Sequence, residues 1–324
     1  FNILIALILS SFINCLSGNN VLNNNYIYCV CLPDYWRKKM CRFVVYKGRE
    51  MFMSDLLTKS EQSLIRQSFK ARERKEPLNG DGFGVGWYTP DVDATPCVFT
   101  SITPAWSNRN LHHLAEKIRS GCFFAHVRAA TSGLLVSEVN CHPFQYRQFL
   151  WMHNGSVGQF DKIKRRLRES LADEVYNFIQ GTTDSEHTFA VFLNEMLGHL
   201  EDYSTETLQE AVLSTIHRLD TWTREAGVDR SSYYNFALTD GNSTIVSRYV
   251  SNPNDEAATL YISSGERFES HEGVYHMVPS RRDPQAIIIA SEPLTDTRSD
   301  WQPVPKNHLI TITPELHIQM TPIQ

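Results

Sequence analysis

The chain is 324 residues long, with 42% hydrophobic and 21% charged residues, the balance of a cored protein rather than a disordered or fibrous one. Its 36 acids outnumber its 31 bases, which argues against a nucleic-acid binder, whose footprint is an excess of Lys and Arg. No run of about 18 apolar residues occurs, so a membrane-spanning helix is not expected.

The first forty residues differ from the rest. Phe1 to Ser17 (FNILIALILSSFINCLS) is apolar and uncharged, an Asn-rich stretch comes next, and Arg37, Lys38 and Lys39 precede Met40. The stretch has the length of a signal-peptide core, though no basic segment precedes it and no small-x-small cleavage site comes after it. A buried helix is a second reading. The third is a leader, residues 1–40, absent from the working protein. Beyond it stand Cys41, Cys97, Cys122 and Cys141, without CxxC pairs or zinc-site Cys/His spacing. Reduced thiols in a cytoplasmic setting suit this pattern better than a disulfide framework. Nothing in the spacing calls for a metal or a cofactor.

From Cys41 the pattern is mixed. Residues 42–47 (RFVVYK) predict a strand, 54–76 a partly helical stretch ending at Pro77, and 82–88 with 97–103 a hairpin. Apolar residues at three-to-four spacing predict a helix over 111–120. Buried strands are predicted at 122–129 and 149–153, and helices at 159–180, 184–200 and 205–226. Strands return at 233–239, 243–250, 258–263, 285–290 and 307–312. Strands, then helices, then strands predict an α+β layered domain over 41–324, undivided by repeats or linkers.

Several positions carry chemistry. Removal of Met40 leaves Cys41 with a free α-amine beside its thiol, and such an amine titrates near about 8, so nucleophile and base sit on one residue. A small buried residue opening a strand is the plainer alternative. Arg128 ends an apolar strand in HVRAATSG, where a guanidinium can clamp a carboxylate or simply reach solvent. Asn154-Gly155 in HNGSVG is a favoured hairpin dipeptide, yet the residues after it do not alternate like a return strand. The other reading is an oxyanion hole made of the Asn154 amide and the Gly155 N–H. Asp184 in TTDSE suits a helix start with Thr183 as N-cap, or a carboxylate that meets an ammonium group.

In chain order, M-C-R-F, GDGFGVGWY, HVRAATSG, NCHPF, HNGS and TTDSE resemble the class II glutamine amidotransferases, N-terminal-nucleophile (Ntn) hydrolases. ASEPLTD at 290–296 looks like the stand-alone branch, with its glutathione-degrading Dug-type amidase and ergothioneine-pathway amidohydrolase. The resemblance implies a four-layer αββα sandwich. It implies Cys41 as nucleophile and base, Arg128 and Asp184 as clamps for a substrate's carboxylate and ammonium, and Asn154 with Gly155 as the oxyanion hole. Thr131 and His142 would line or support the pocket, with Asp81 and Trp87 bordering it. Ala129 and Ser132 depart from the synthase-linked members, which usually carry Trp and His there, and this bears on pocket shape.

The implied activity is an amidase that hydrolyses the γ-glutamyl amide of glutamine or a γ-glutamyl peptide such as glutathione, with a partner subunit or homo-oligomer left open. About 140 residues come after the Asp184 region, too few for a fused synthase domain beside the strands that complete the sandwich. The rival reading is a catalytically silent scaffold or regulatory subunit, since an uncleaved leader would cap the Cys41 amine as an amide. A secreted protein using Phe1–Ser17 as its signal is another.

Overall fold

A computed structural model of the chain describes residues 40–73, 78–129 and 136–324. Residues 1–39, on which the signal, buried-helix and leader readings fall, lie outside the described residues, as do Thr131 and Ser132.

Strand β1 (Arg42–Phe52) is buried over its first five residues. Side chains alternate along a strand, and here both faces are covered: Phe43 and Val45 join one apolar cluster, Val44 and Tyr46 another. An antiparallel sheet buried on both faces is an inner layer, and the rest of the chain supplies what covers it.

In sheet order, β13 (Gln302–Pro303), β9 (Tyr261–Gly265), β12 (Ala286–Ala290), β1, β4 (Arg119–Val127), β2 (Phe83–Trp87) and β3 (Cys97–Ser101) form a seven-stranded antiparallel sheet. The second sheet has six strands, β15 (Ile318–Pro322), β14 (His308–Ile312), β8 (Thr244–Arg248), β7 (Tyr233–Thr239), β6 (Phe149–Ser156) and β5 (Phe144–Tyr146). Phe43, Val45, Phe124, Ile287 and Ile289 of the first sheet pack against Leu150, Met152, Ala237, Val246 and Ile310 of the second.

The outer face of the first sheet is covered by α1 (Leu64–Lys70), α2 (Arg109–Ala115) and the hairpin β10 (Arg267–His271)–β11 (Val274–Val278). Over the second sheet lie α3 (Lys164–Glu169), α4 (Asp173–Phe178), α5 (Asp184–Glu195) and α6 (Thr205–Glu225). Trp151 anchors that layer, stacked on Phe189 and Phe192 of α5 at centroid distances of 5.6 and 5.5 Å. Burying each such ring contributes about 1.5–3 kcal/mol. The result is the four-layer αββα sandwich.

Boundaries differ from the sequence reading at identifiable places. The helix over 111–120 ends at Ala115, because Arg119 and Ser120 pair with Phe52 and Met51 across the sheet. The helix over 159–180 is a short 3₁₀ turn followed by two separate helices, α3 and α4. Strand β6 runs three residues past the predicted end, carrying Asn154 and Gly155 within it in register with Asn235 and Tyr234, so Asn-Gly is not a hairpin turn here.

Candidate active site

Cys41 immediately precedes β1, and the strand's alternation carries it toward the second sheet. Arg42 pairs in register with Val127 of β4, so Cys41 and Arg128 come next on two neighbouring strands. Phe124 marks the inter-sheet face of β4, and Arg128 lies four residues further on the same face. The Ala129 main-chain N–H donates to the Cys41 sulfur at 3.4 Å. Ala129, read from the sequence as a departure in side chain, thus contributes its backbone.

Burial pushes the Cys41 thiol above its usual range. The Ala129 N–H and the positive charges of Arg128 and Arg42 pull it down, and the Asp184 carboxylate raises it. Two charged residues far apart in sequence, Arg128 and Asp184, therefore act on one sulfur.

Arg128 is 4% exposed and is locked by its surroundings. Its N–H donates to the Gly82 carbonyl at 2.8 Å, its carbonyl accepts from the Asp81 N–H at 3.1 Å, and Nη1 donates to the Asp81 carbonyl at 3.3 Å. Asp81 serves Arg128 through its main chain in the last two of these bonds.

Asp184 is the first residue of α5, and Thr183 before it caps the helix by accepting the Glu186 N–H at 3.2 Å. One Asp184 carboxylate oxygen accepts the Val157 N–H at 2.8 Å, just beyond β6, and the other accepts the Ser185 N–H at 2.9 Å. The preceding loop is pinned by Glu186, which accepts from Gln180 and Gly181 N–H at 2.8 and 2.7 Å, and by Asn140, whose Oδ1 accepts the Thr182 N–H at 3.1 Å.

Leu150 and Met152 face the opposite sheet, and Asn154 continues that face of β6. Its Nδ2 donates to Ser291 Oγ at 3.2 Å, and the same hydroxyl accepts the Phe43 N–H at 3.1 Å. Ser291 therefore ties the strand after Cys41 to Asn154. Asn154 Oδ1 is buried with no partner among the described residues. At Gly155 a Cβ would stand 1.9 Å from the Tyr233 carbonyl, so no side chain fits.

His142 is buried beneath this region, its Nδ1 2.8 Å from His126 Nε2. Burial holds both imidazoles neutral, His126 pushed down to about 3 and His142 well below its usual value. The His142 main chain crosses the inner face of β2, where a Cβ on Gly84 would stand 2.2 Å from its carbonyl oxygen, so the glycines of GFGVG and the NCHPF segment fit one crossing. Trp87 is not brought to the site. It pairs with Phe123, four residues along β2 from Phe83 and about 13 Å away, and packs against the outer core. Among the described residues, no group of three or more His, Cys, Asp and Glu side chains is arranged to hold a metal ion.

The sequence reading missed Ser291, Glu292 and Arg42. Arg42 Nε and Nη2 donate to Glu292 Oε1 at 2.8 and 2.6 Å, and Arg42 Nη1 donates to the carbonyls of Met40 and Cys41 at 3.2 and 3.0 Å. The available signal was ASEPLTD, in which a polar Ser-Glu pair directly follows the wholly apolar strand β12.

Residues 53–316 match the family of class-II glutamine amidotransferases. The chain is 46% identical to the probable glutamine amidotransferase DUG3 of Saccharomyces cerevisiae, over 84% of this chain and 82% of that protein. It is 26% identical to a γ-glutamyl-hercynylcysteine sulfoxide hydrolase of Mycobacterium tuberculosis, over 85% of this chain and 93% of that one. Among solved structures, a glutamine aminotransferase class-II domain protein from Silicibacter pomeroyi superposes with a TM-score of 0.61 at 27% identity, covering 87% of this chain and 99% of its own. A glutamine phosphoribosylpyrophosphate amidotransferase from B. subtilis shares the fold, with a TM-score of 0.55 at 14% identity over 88% of this chain and 49% of its own. With the family matched over most of its length and a relative at nearly half identity, the chain belongs to the class-II glutamine amidotransferases.

Proposed function

We propose that the protein is an amidase that cleaves the γ-glutamyl amide bond of glutamine or of a γ-glutamyl peptide such as glutathione. The Cys41 sulfur attacks the γ-carbonyl while the α-amine of the same residue takes the thiol proton. The carbonyl oxygen becomes an oxyanion between the Asn154 amide and the Gly155 N–H, donors worth about 3–4 kcal/mol each in such sites. The proton passes to the leaving nitrogen, the C–N bond breaks, and ammonia or an amine departs from a γ-glutamyl thioester. Water, deprotonated by the same amine, then releases glutamate and restores the thiol. Arg128 pairs with the substrate's α-carboxylate and Asp184 with its α-ammonium, so the γ-glutamyl head is read and the leaving group is not.

One observation carries this reading: the Cys41 sulfur accepts the Ala129 N–H at 3.4 Å within reach of both the Arg128 and Asp184 charges. The reading requires the bond between Met40 and Cys41 to be cut, by initiator removal or by loss of residues 1–40 as a leader. The activities for which the relatives are named, amidotransfer and γ-glutamyl hydrolysis, support the same chemistry. A cytoplasmic location belongs to this reading, and no helix among the described residues is long and apolar enough to cross a membrane.

The test combines mass spectrometry of the native N-terminus with glutamate release from glutamine and from glutathione. A chain beginning at Cys41 is expected, with release from at least one substrate and a loss of at least a thousandfold in Cys41→Ser. Full activity in that variant would refute the nucleophile, and a native chain that keeps Met40 would make it a silent scaffold.

A further inference from the structure

Strand alternation turns Cys41 toward the second sheet and Arg42 to the opposite, outer face, where Val44 and Tyr46 also point. There Arg42 and Glu292 form an ion pair with side chains 2% and 3% exposed. A buried pair of this kind is weak evidence for stability, because desolvation offsets the attraction. Its placement is specific. Glu292 Oε1 takes two guanidinium donors and its Oε2 accepts the Arg72 N–H at 2.8 Å, which leaves Arg42 Nη1 to hold the carbonyls on either side of the Cys41 nitrogen.

We propose that Arg42 and Glu292 are positioning residues for Cys41: Arg42 fixes the main chain of residue 41 and biases its liberated α-amine toward the neutral, proton-accepting form, and Glu292 limits that bias. The proposal rests on the reading that Cys41 supplies its own base.

The distance is set by covalent geometry. The Met40 carbonyl oxygen belongs to the same planar peptide as the Cys41 nitrogen, so Nη1, 3.2 Å from that oxygen, lies within about 5.5 Å of the future amine. When Met40 leaves, the bond to the Cys41 carbonyl keeps the guanidinium in place. A cation at that range opposes a second positive charge on the amine, so less ammonium forms at neutral pH. Glu292 partly cancels that field. Among the described residues, the other charged or titratable groups acting on Cys41 are Arg128 at the end of β4, Asp184 at the start of α5, and Cys141 from the segment before β5. These are unchanged by substitutions at 42 and 292.

The signs are opposite for the two partners. Removing the cation in Arg42→Met leaves the ammonium less opposed, so the amine holds its proton to higher pH. Removing the anion in Glu292→Gln leaves Arg42 uncompensated, and the amine loses its proton at lower pH. Both substitutions break the same ion pair, so a merely structural role would not move them apart.

The experiment is the pH profile of kcat/KM for glutamate release from glutamine, with the full chain matured and its N-terminus verified as Cys41. The acid limb is expected to move up by about one pH unit in Arg42→Met and down by a comparable amount in Glu292→Gln. The double variant Arg42→Met/Glu292→Leu, which leaves no unpaired buried charge, should fall between them. Limbs that stay together, or move in the same direction, overturn the proposal. Should Arg42→Met fail to fold, Glu292→Gln and the double variant decide it by the same criterion. A wild-type activity that survives Cys41→Ser refutes the nucleophile reading and this proposal with it. A Cys41-dependent activity with unmoved limbs refutes this proposal alone.

Discussion

Asp184 shows how the site prepares a single group. Each carboxylate oxygen already accepts one main-chain N–H, from Val157 and from Ser185, so the side chain is oriented without a substrate. A carboxylate retains lone pairs for a further donor, and an ammonium is the donor the proposed substrate would bring. Asp184→Asn removes the anion and turns an amide N–H₂ toward one of two main-chain donors. Michaelis kinetics on glutamine are expected to show KM raised at least tenfold with kcat lowered less, the pattern of lost ground-state binding. A fall confined to kcat would place Asp184 in the chemical step instead. Glu186, two residues on, has its carboxyl pushed up by burial, opposed by the two N–H groups it accepts, and it serves the loop rather than the substrate.

At the scale of elements, the start of α5 converts local sequence into site geometry. Thr183 caps the helix, and its carbonyl accepts from His187 Nδ1 at 2.7 Å, so cap and loop are held from both sides. Thr183→Ala removes the side-chain acceptor and should lower stability by about 1 kcal/mol, read by urea unfolding. A rise in KM without a matching fall in kcat should accompany it, because Asp184 is the first residue to fray. This much was legible, since TTDSE carries both the cap and the acid. Asn154-Gly155 was legible only in part. The dipeptide fits a tight turn equally well, and the choice was made by Asn235 and Tyr234 of β7, some 80 residues away, whose pairing extends β6 through it. The hairpin β10–β11 gave no signal because its first strand, RFESH, carries a single apolar residue, Phe268, among polar ones. Trp87 sits in a motif whose glycines do approach the site, and only the register of β2 against β4 shows that its own end lies elsewhere.

At the scale of the whole molecule, three of the four buried histidines among the described residues lie where charge is unwelcome. Burial depresses His126 to about 3 and His187 to about 4, and holds His142 well below its usual value, its partner His126 adding to the effect. In the unfolded chain each would titrate near about 6.5. Between that value and the folded ones, the unfolded state binds more protons, so stability rises with pH across this window and is lost as pH falls below about 6.5. Each group fully inside the window contributes a slope of about 1.4 kcal/mol per pH unit. Three such rings act in the same direction, against a total of about 5–15 kcal/mol for an ordinary domain, so acid destabilisation should begin well above pH 3. The check is proton uptake on urea unfolding at pH 5, measured by potentiometry. His126→Gln is expected to reduce the uptake by about one proton per chain. An uptake left unchanged by His126→Gln would mean that this ring is charged in the folded state, in which case the 2.8 Å contact between His126 and His142 could not be the neutral donor–acceptor pair that their burial demands.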